Sequence, residues 1–402
     1  MLLDNIRVVE LGRAVAAPWC GQTLGDFGAE VIKVEAVDGG DFTRQLGPTM
    51  VPDGEGRPTD TGSVFVGLNR NKKSIGLDLR QPEAQEIVKR LAATSDVLIE
   101  NFKPGDLARR GLDYAAIGPL NPRLIYLSIS GFGQTGPYRQ RPALDNVVQG
   151  LIGLMRMSWT PDGGSIKTPM PMIDYFTGMN GVAAVLAALY ARDARGGAGQ
   201  YIDLALYDAG LSLMSYRMID HLLAGTEWTG EDQSDGISPT GLFETADGVF
   251  QMAIRSDVEF QRLSKALNRP DFAEDPRFAT QRARTANRAE VTGAVAAEIR
   301  KLTTADALAR LAEADILASP LNTLHEAAVH PQTVAREMII ETRHGGGAVL
   351  PGLANPIRFS GTPIDRYEAA PLLGSHTDYV LRELLDLDAA QVADLRARRV
   401  VA

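Results

Sequence analysis

The chain has 402 residues, 45% of them hydrophobic and 23% charged, with a formal net charge of −9 at pH 7. That length supports two or three cores, and the acidic balance argues against nucleic acid as a partner. A single cysteine, Cys20, excludes an internal disulfide and points to a reducing, cytoplasmic setting.

In chain order, "IRVVEL" (6–11) predicts a strand, "PWCGQTLGDFGA" a helix and "EVIKVE" (30–35) a second strand, which together make a βαβ unit. "SIGLDL" (74–79) predicts another strand. "PEAQEIVKRLAATS" predicts an amphipathic helix opened by Pro82, a favoured first-turn residue. "DVLIEN" and "LIYLSIS" continue the alternation, which implies a parallel sheet covered on both faces. "PMPMIDYFTGMNG" (169–181) then places Asp174, the only charge between Lys167 and Arg192, at the head of an apolar helix. That helix is rich in Gly and Ala, and we read it as buried rather than membrane-spanning. The amino terminus has no basic stretch leading into a long apolar one, so no signal peptide is expected. "YIDLAL" (201–206) predicts a strand, and "DAGLSLMSYRMIDHLLAG" one helix ending at Gly225.

The polar stretch "TEWTGEDQSDGISP" (226–239) marks a domain boundary. Beyond it lie a hairpin turning at Asp247–Gly248, and helices to about residue 315. After about residue 330 the chain turns irregular, with a closing helix near 376–399. The expected division is a large domain over 1–225 and a small one over 226–330. A segment over 331–402 then returns to the large domain or wraps a partner chain.

Two motifs are weighed and set aside, and a third pattern is kept. "GFGQTG" has the dinucleotide glycine spacing at Gly131, Gly133 and Gly136, but "PYRQRP" follows where a helix must start. "HEAAVH" (325–330) spaces its histidines by five, which turns them about 140° apart on a helix, so no metal is expected. Two basic groups, Arg70, Lys72 and Lys73 in "NRNKKS" and Lys103, Arg109 and Arg110 in "ENFKPGDLARRG", flank strands of one sheet and are expected to converge on a polyanion.

Six stretches occur in order along the chain: "VVELGRAVAAPWCGQTLGDFGAEVIKVE", "NRNKKSIGLDL", "DVLIENFKPGDLARRGL", "SISGFGQTGPY", "ALDNVVQG" and "APLLGSHTDYVL". With them the chain resembles the class III CoA-transferases. The resemblance implies an α/β fold with a Rossmann-like large domain, a parallel sheet, a smaller α+β domain and an interlocked homodimer. It implies Asp174 as nucleophile. It implies coenzyme A held around Val15 and Ala16, along Leu77, Asp78, Leu79 and Arg80, at Asn101, Phe102, Lys103 and Arg109, and along Pro142, Ala143, Leu144 and Asp145. Coenzyme A enters as a thioester substrate, with no permanently bound cofactor and a carboxylic acid as the other partner. Ala36 and Pro142 stand where the family's formyl-CoA enzyme has an arginine and a lysine, so phosphate contacts there must differ. Arg13 and Arg44 are candidates for an acceptor's distal carboxylate.

The residue types leave alternatives. An aspartate opening a helix is often only a cap. An acyl-CoA racemase of the same superfamily needs proton carriers where this chain has Leu144 and Arg255. A non-catalytic CoA-binding protein would keep the fold without the reaction. Three features favour chemistry at Asp174: prolines that stiffen its approach, a helix dipole expected to keep it ionised and to receive an oxyanion, and Gly178 and Gly181, expected to leave room for a thioester.

Overall fold

Six short runs rich in Val, Ile and Leu form one sheet in a computed structural model, which describes residues 1–159, 164, 167–228 and 236–402. The strands are β1 (Arg7–Glu10), β2 (Glu30–Ala36), β3 (Lys72–Leu77), β4 (Val97–Glu100), β5 (Ile125–Ser130) and β6 (Tyr201–Ala205). Their spatial order is β3-β2-β1-β4-β5-β6, and every neighbouring pair is parallel. The chain walks outward from β1 to β3, then jumps back beside β1 to lay down β4. The carboxyl ends of β1 and β4 therefore frame a crevice, the usual ligand position in such sheets.

The packing follows the two-residue period of the strands. Val8, Val31, Val97, Ile99 and Leu127 share one core with α1 (Ala16–Asp26) and with a long helix described below. Val9, Ile32, Leu98 and Tyr126 face the other way, onto α2 (Pro82–Ala93). That helix buries Ala84, Ile87, Val88, Leu91 and Ala92, one stripe at helical spacing. A short helix α3 (Asp145–Leu151) precedes the long α4 (Met172–Ala194). By length and composition α4 is apolar enough to cross a bilayer. Its Ile173, Val182, Val185, Ala188 and Leu189 instead sit in the first core.

The single helix expected after β6 is two, α5 (Leu206–Leu213) and α6 (Ser215–Ala224), broken where Ser215 takes φ +42°. By contact, the chain divides into Met1–Trp228 together with Glu337–Ala402, and Thr229–Arg336. The second unit pairs β7 (Thr240–Glu244), β8 (Val249–Ala253) and β9 (Leu317–Pro320) antiparallel. Its core joins Phe243 and Phe250 to Phe260, Leu263, Val291 and Val295 on helices α7 (Asp257–Ala266) and α8 (Arg288–Ile299).

The carboxyl-terminal segment forms a hairpin of β10 (Ile339–Arg343) and β11 (Val349–Leu353), then returns to the sheet. Val380, Leu381, Leu385, Val392, Leu395 and Val400 join the core beside α2. The Asp78 and Ala402 amides donate to Val400 and Gly76 at 2.9 and 3.1 Å. The irregular segment expected to return to the large domain or to wrap a partner chain thus contributes to the core of its own chain. Its closing helix is also broken, into a wide turn at Tyr379–Leu384 and α9 (Ala389–Ala397), with Asp386 at φ +55° between them.

Candidate active site

The loops after β1 and β4 are tied across the crevice. The Arg13 amide donates to Asn101 Oδ1 at 2.9 Å, and Asn101 Nδ2 donates to the Arg13 carbonyl at 2.7 Å. Ala14 sits at φ +66°, a conformation a non-glycine residue keeps only when its surroundings impose it. The surroundings are buried charges. Lys33 Nζ donates to the Gly12 carbonyl at 2.8 Å and to Glu10 at 3.0 Å, and it lies 3.1 Å from Asp41. Lys72 Nζ meets Glu10 at 2.8 Å. All four side chains are fully enclosed, so removing any one strands a buried charge.

A cavity of about 310 Å³ lies at these strand ends. Leu77, Asp78, Leu79, Arg80 and Phe102 line it, as do Ala36, Arg13 and Arg110. Val15 and Ala16 begin α1 directly beyond that loop. Arg109 points elsewhere, paired with Asp106. Lys103 lines a separate, smaller cleft that also holds Glu100. Burial pushes the Glu100 carboxyl up to about 7, although it accepts the Phe102 amide at 2.7 Å. Nothing in the strand pattern "DVLIE" distinguishes this glutamate.

The basic groups do not converge as expected. Arg70, Lys72 and Lys73 lie at the amino end of β3, the opposite end of the strand from the crevice. Each is already paired: Arg70 with Asp26, Lys72 with Glu10, Lys73 with Glu30. Arg44 is buried against Glu35 at 2.7 Å, which removes it as an acceptor contact.

Asp174 is the third residue of α4, inside the helix rather than before it. It caps nothing. The cap comes from Asp145, whose Oδ2 accepts the amides of Ile173 at 2.7 Å and Asp174 at 3.1 Å. Asp145 is buried and bonded to Gln149, which also donates to Thr168 Oγ1 at 2.8 Å and accepts its amide at 3.1 Å. This chain of contacts fixes the "TPMPM" approach. The Met172 and Tyr175 amides donate to Met170 and Pro171. With all four first-turn amides occupied, α4 offers no donor to an oxyanion.

Burial, and then the neighbouring Asp145 carboxylate, push the Asp174 carboxyl up to about 7. Desolvation thus outweighs the helix dipole, the reverse of the sequence-based expectation. Gly178 and Gly181 also serve another purpose. A Cβ on Gly178 would stand 2.7 Å from the Ala16 carbonyl, and one on Gly181 would stand 3.2 Å from Cys20 Sγ. The glycines let α4 lie against α1, and Asp174, four residues before Gly178, shares that face. The nucleophile candidate is thereby aimed at the amino end of α1, where Val15 and Ala16 stand.

Of the "PALD" stretch, Ala143 packs against Gly131, while Pro142 and Leu144 are exposed. Arg255 is paired with Glu259. A larger cavity, about 1090 Å³, runs along the neighbouring face of α4 past Trp19, Met172, Tyr175, Phe176 and Leu350. Asp174 is not in its lining.

Residues 3–377 match the description CoA-transferase family III. The succinate–glutarate CoA-transferase of Agrobacterium fabrum is 40% identical over 383 residues, covering 95% of each chain. The succinyl-CoA–D-citramalate CoA-transferase of Chloroflexus aurantiacus is 36% identical, covering 99% of this chain and 98% of its own. A crystal structure of a CaiB/BaiF family protein from Brucella suis superposes with a TM-score of 0.84 at 40% identity, covering 95% of this chain and 98% of that one. With the family match running over residues 3–377 and these relatives 36–40% identical across nearly the whole chain, the chain belongs to CoA-transferase family III.

Proposed function

We propose that the protein moves coenzyme A from succinyl-CoA or a similar thioester to a small dicarboxylic acid, with Asp174 as the covalent relay. The observation that carries this is the half-buried Asp174 carboxyl, held at the head of α4 on the face that meets the start of α1. The named activities of the relatives support the substrate class.

The steps balance without ATP. The Asp174 carboxylate attacks the thioester carbonyl and expels the CoA thiolate, leaving a mixed anhydride. The thiolate then attacks the aspartyl carbonyl, which forms an aspartyl-CoA thioester and releases the donor acid. The acceptor carboxylate attacks that thioester, giving a second anhydride and free thiolate. Attack of the thiolate on the acceptor's acyl carbon yields the new thioester and restores Asp174. Water must stay out, because it would hydrolyse either intermediate.

The protein is further proposed to work as a homodimer without a permanently bound cofactor. Apolar faces left uncovered in the single chain, on α6 and along residues 321–338, support the assembly. Incubation with succinyl-CoA and a panel of dicarboxylic acids tests the reaction. Hydroxylamine is expected to stop turnover by capturing the acyl group on Asp174, leaving a hydroxamate found by peptide mass spectrometry. Turnover with no modification at Asp174 would reject the covalent relay.

A further inference from the structure

Lys72 lies away from the crevice, yet its buried ammonium reaches the active-site helix pair from behind. Its Nζ is fully enclosed and donates three ways: to Glu10 at 2.8 Å, to the Pro18 carbonyl at 2.8 Å and to Asn69 Oδ1 at 2.9 Å. An ammonium has three N–H donors and no acceptor, so each one is used. Asn69 is itself buried and tied to the Phe65 carbonyl at 2.9 Å. Glu10 fills the space under α1, where a Cβ on Gly21 would collide with its Oε2.

Pro18 belongs to the first turn of α1, the turn that meets α4. Ala16 presents its carbonyl to Gly178, and the Trp19 ring stands edge-on to Tyr175 with centroids 4.8 Å apart. Tyr175 directly follows Asp174. Contacts therefore run from the Lys72 ammonium through Pro18 and Trp19 to the turn that carries the carboxyl. Lys33 holds the other end of the same loop, at the Gly12 carbonyl, and shares Glu10.

We propose that Lys72 is a positioning residue for acyl transfer, setting the first turn of α1 against Asp174 through the Pro18 carbonyl. The inference rests on the Asp174 relay. The groups that face Lys72 are Glu10 on β1, Lys33 on β2, Asp41 after β2 and Cys20 on α1. Burial, aided by Lys33, outweighs the carboxylates and pushes the ammonium down to about 8. Once neutral, the amine has two N–H donors for three acceptors, so one contact opens. The folded value lies below that of ordinary lysine, so between the two the unfolded chain binds more protons. Stability from this group thus rises with pH in that window, and turnover lost there through Lys72 is not unfolding.

Lys72→Met alone would strand a buried negative charge. The test therefore uses Glu10→Gln/Lys72→Met, which removes one charge of each sign and leaves Lys33 with Asp41. Its kcat with succinyl-CoA and a dicarboxylic acid is expected to fall at least about tenfold, with calorimetric affinity for free CoA changed less than about threefold. In a single turnover, hydroxylamine capture at Asp174 slows by the same factor as kcat. Wild-type kcat is expected to decline above about pH 8 without a matching fall in Tm, and the double variant to lack that decline. A double variant with wild-type kcat, or one losing CoA affinity and kcat together, would overturn the inference. So would wild-type kcat that stays level to about pH 10, a result that stands even where the double variant does not fold. Wild-type turnover without a hydroxamate at Asp174 would overturn the relay and this inference with it. Equal capture rates at Asp174 in both proteins would overturn this inference alone.

Discussion

Asp174 carries a conflict between binding and stability that substitution makes measurable. Its folded-state pKa, about 7, lies above the ordinary aspartate value, so between those two values the native state binds more protons than the unfolded chain. Stability from this group is therefore present at low pH and lost as pH rises through about 7. Asp174→Asn cannot ionise, so its unfolding free energy is expected to exceed that of wild type at pH 8 by on the order of 2 kcal/mol after allowance for partial solvent access, with a higher Tm. The gain fades toward pH 5, and a pH-independent difference in differential scanning calorimetry would contradict it. The same variant is expected to lose at least about 10³-fold in rate while keeping its fold, because the helix cap belongs to Asp145. Since only the ionised carboxylate attacks, kcat/KM should fall about tenfold per pH unit below about 7. Asp145→Asn removes the neighbouring negative charge yet keeps an acceptor for the α4 amides. Its acid limb is expected to move to lower pH, and a limb that stays in place would remove Asp145 from the account of the shift.

At the scale of elements, the approach of α4 to α1 depends on a missing side chain. Gly178→Ala would push a methyl to 2.7 Å from the Ala16 carbonyl, where backbone cannot yield cheaply. It is expected to cost about 1–3 kcal/mol in urea unfolding, as overpacking does, and to lower kcat more than Asp174-remote core changes of equal cost. A stable, fully active Gly178→Ala protein would show that the helices separate freely. Most of this architecture is legible in the amino-acid order. The Val- and Ile-rich runs announce the buried parallel strands, and the 84, 87, 88, 91 spacing announces α2. What is not legible is whatever strand order decides. The two basic clusters belong to strands consecutive in sequence, yet β2 and β1 lie between β3 and β4, and one cluster precedes β3 while the other follows β4, so they fall at opposite ends of a parallel sheet. The Asp145 cap spans 29 residues of chain and leaves no local signature, whereas Asp174 has the outward look of a cap. The breaks at Ser215 and Asp386 escape too, because polar non-glycine residues at positive φ carry no marker of their own.

For the whole molecule, two uncovered surfaces support the proposed homodimer. Helix α6 is amphipathic but buries none of its residues, and Leu223 is 82% exposed, with Tyr216, Ile219 and Leu222 beside it. Residues 321–338 are similarly bare: Leu324 is 92% exposed, with Leu321, Val329 and Val334 also uncovered. The short helix there is well built, closed by a Thr323–Glu326 capping box, so its exposure is not a failure to fold. Scattered apolar residues on a surface need no explanation, but two ordered elements with no buried side chain do. In the proposed homodimer a second copy of the chain would cover them at no cost in new sequence, and closed two-fold pairing is the commonest solution. Leu223→Asp and Leu324→Asp are each expected to weaken a nanomolar dimer into one whose sedimentation varies with concentration in the micromolar range, a loss of about 4 kcal/mol by the logarithm of that change. Far-ultraviolet circular dichroism should stay unchanged, because neither leucine supports its own chain. Wild-type protein that sediments as a monomer at micromolar concentration would leave these faces without a partner and refute the dimer.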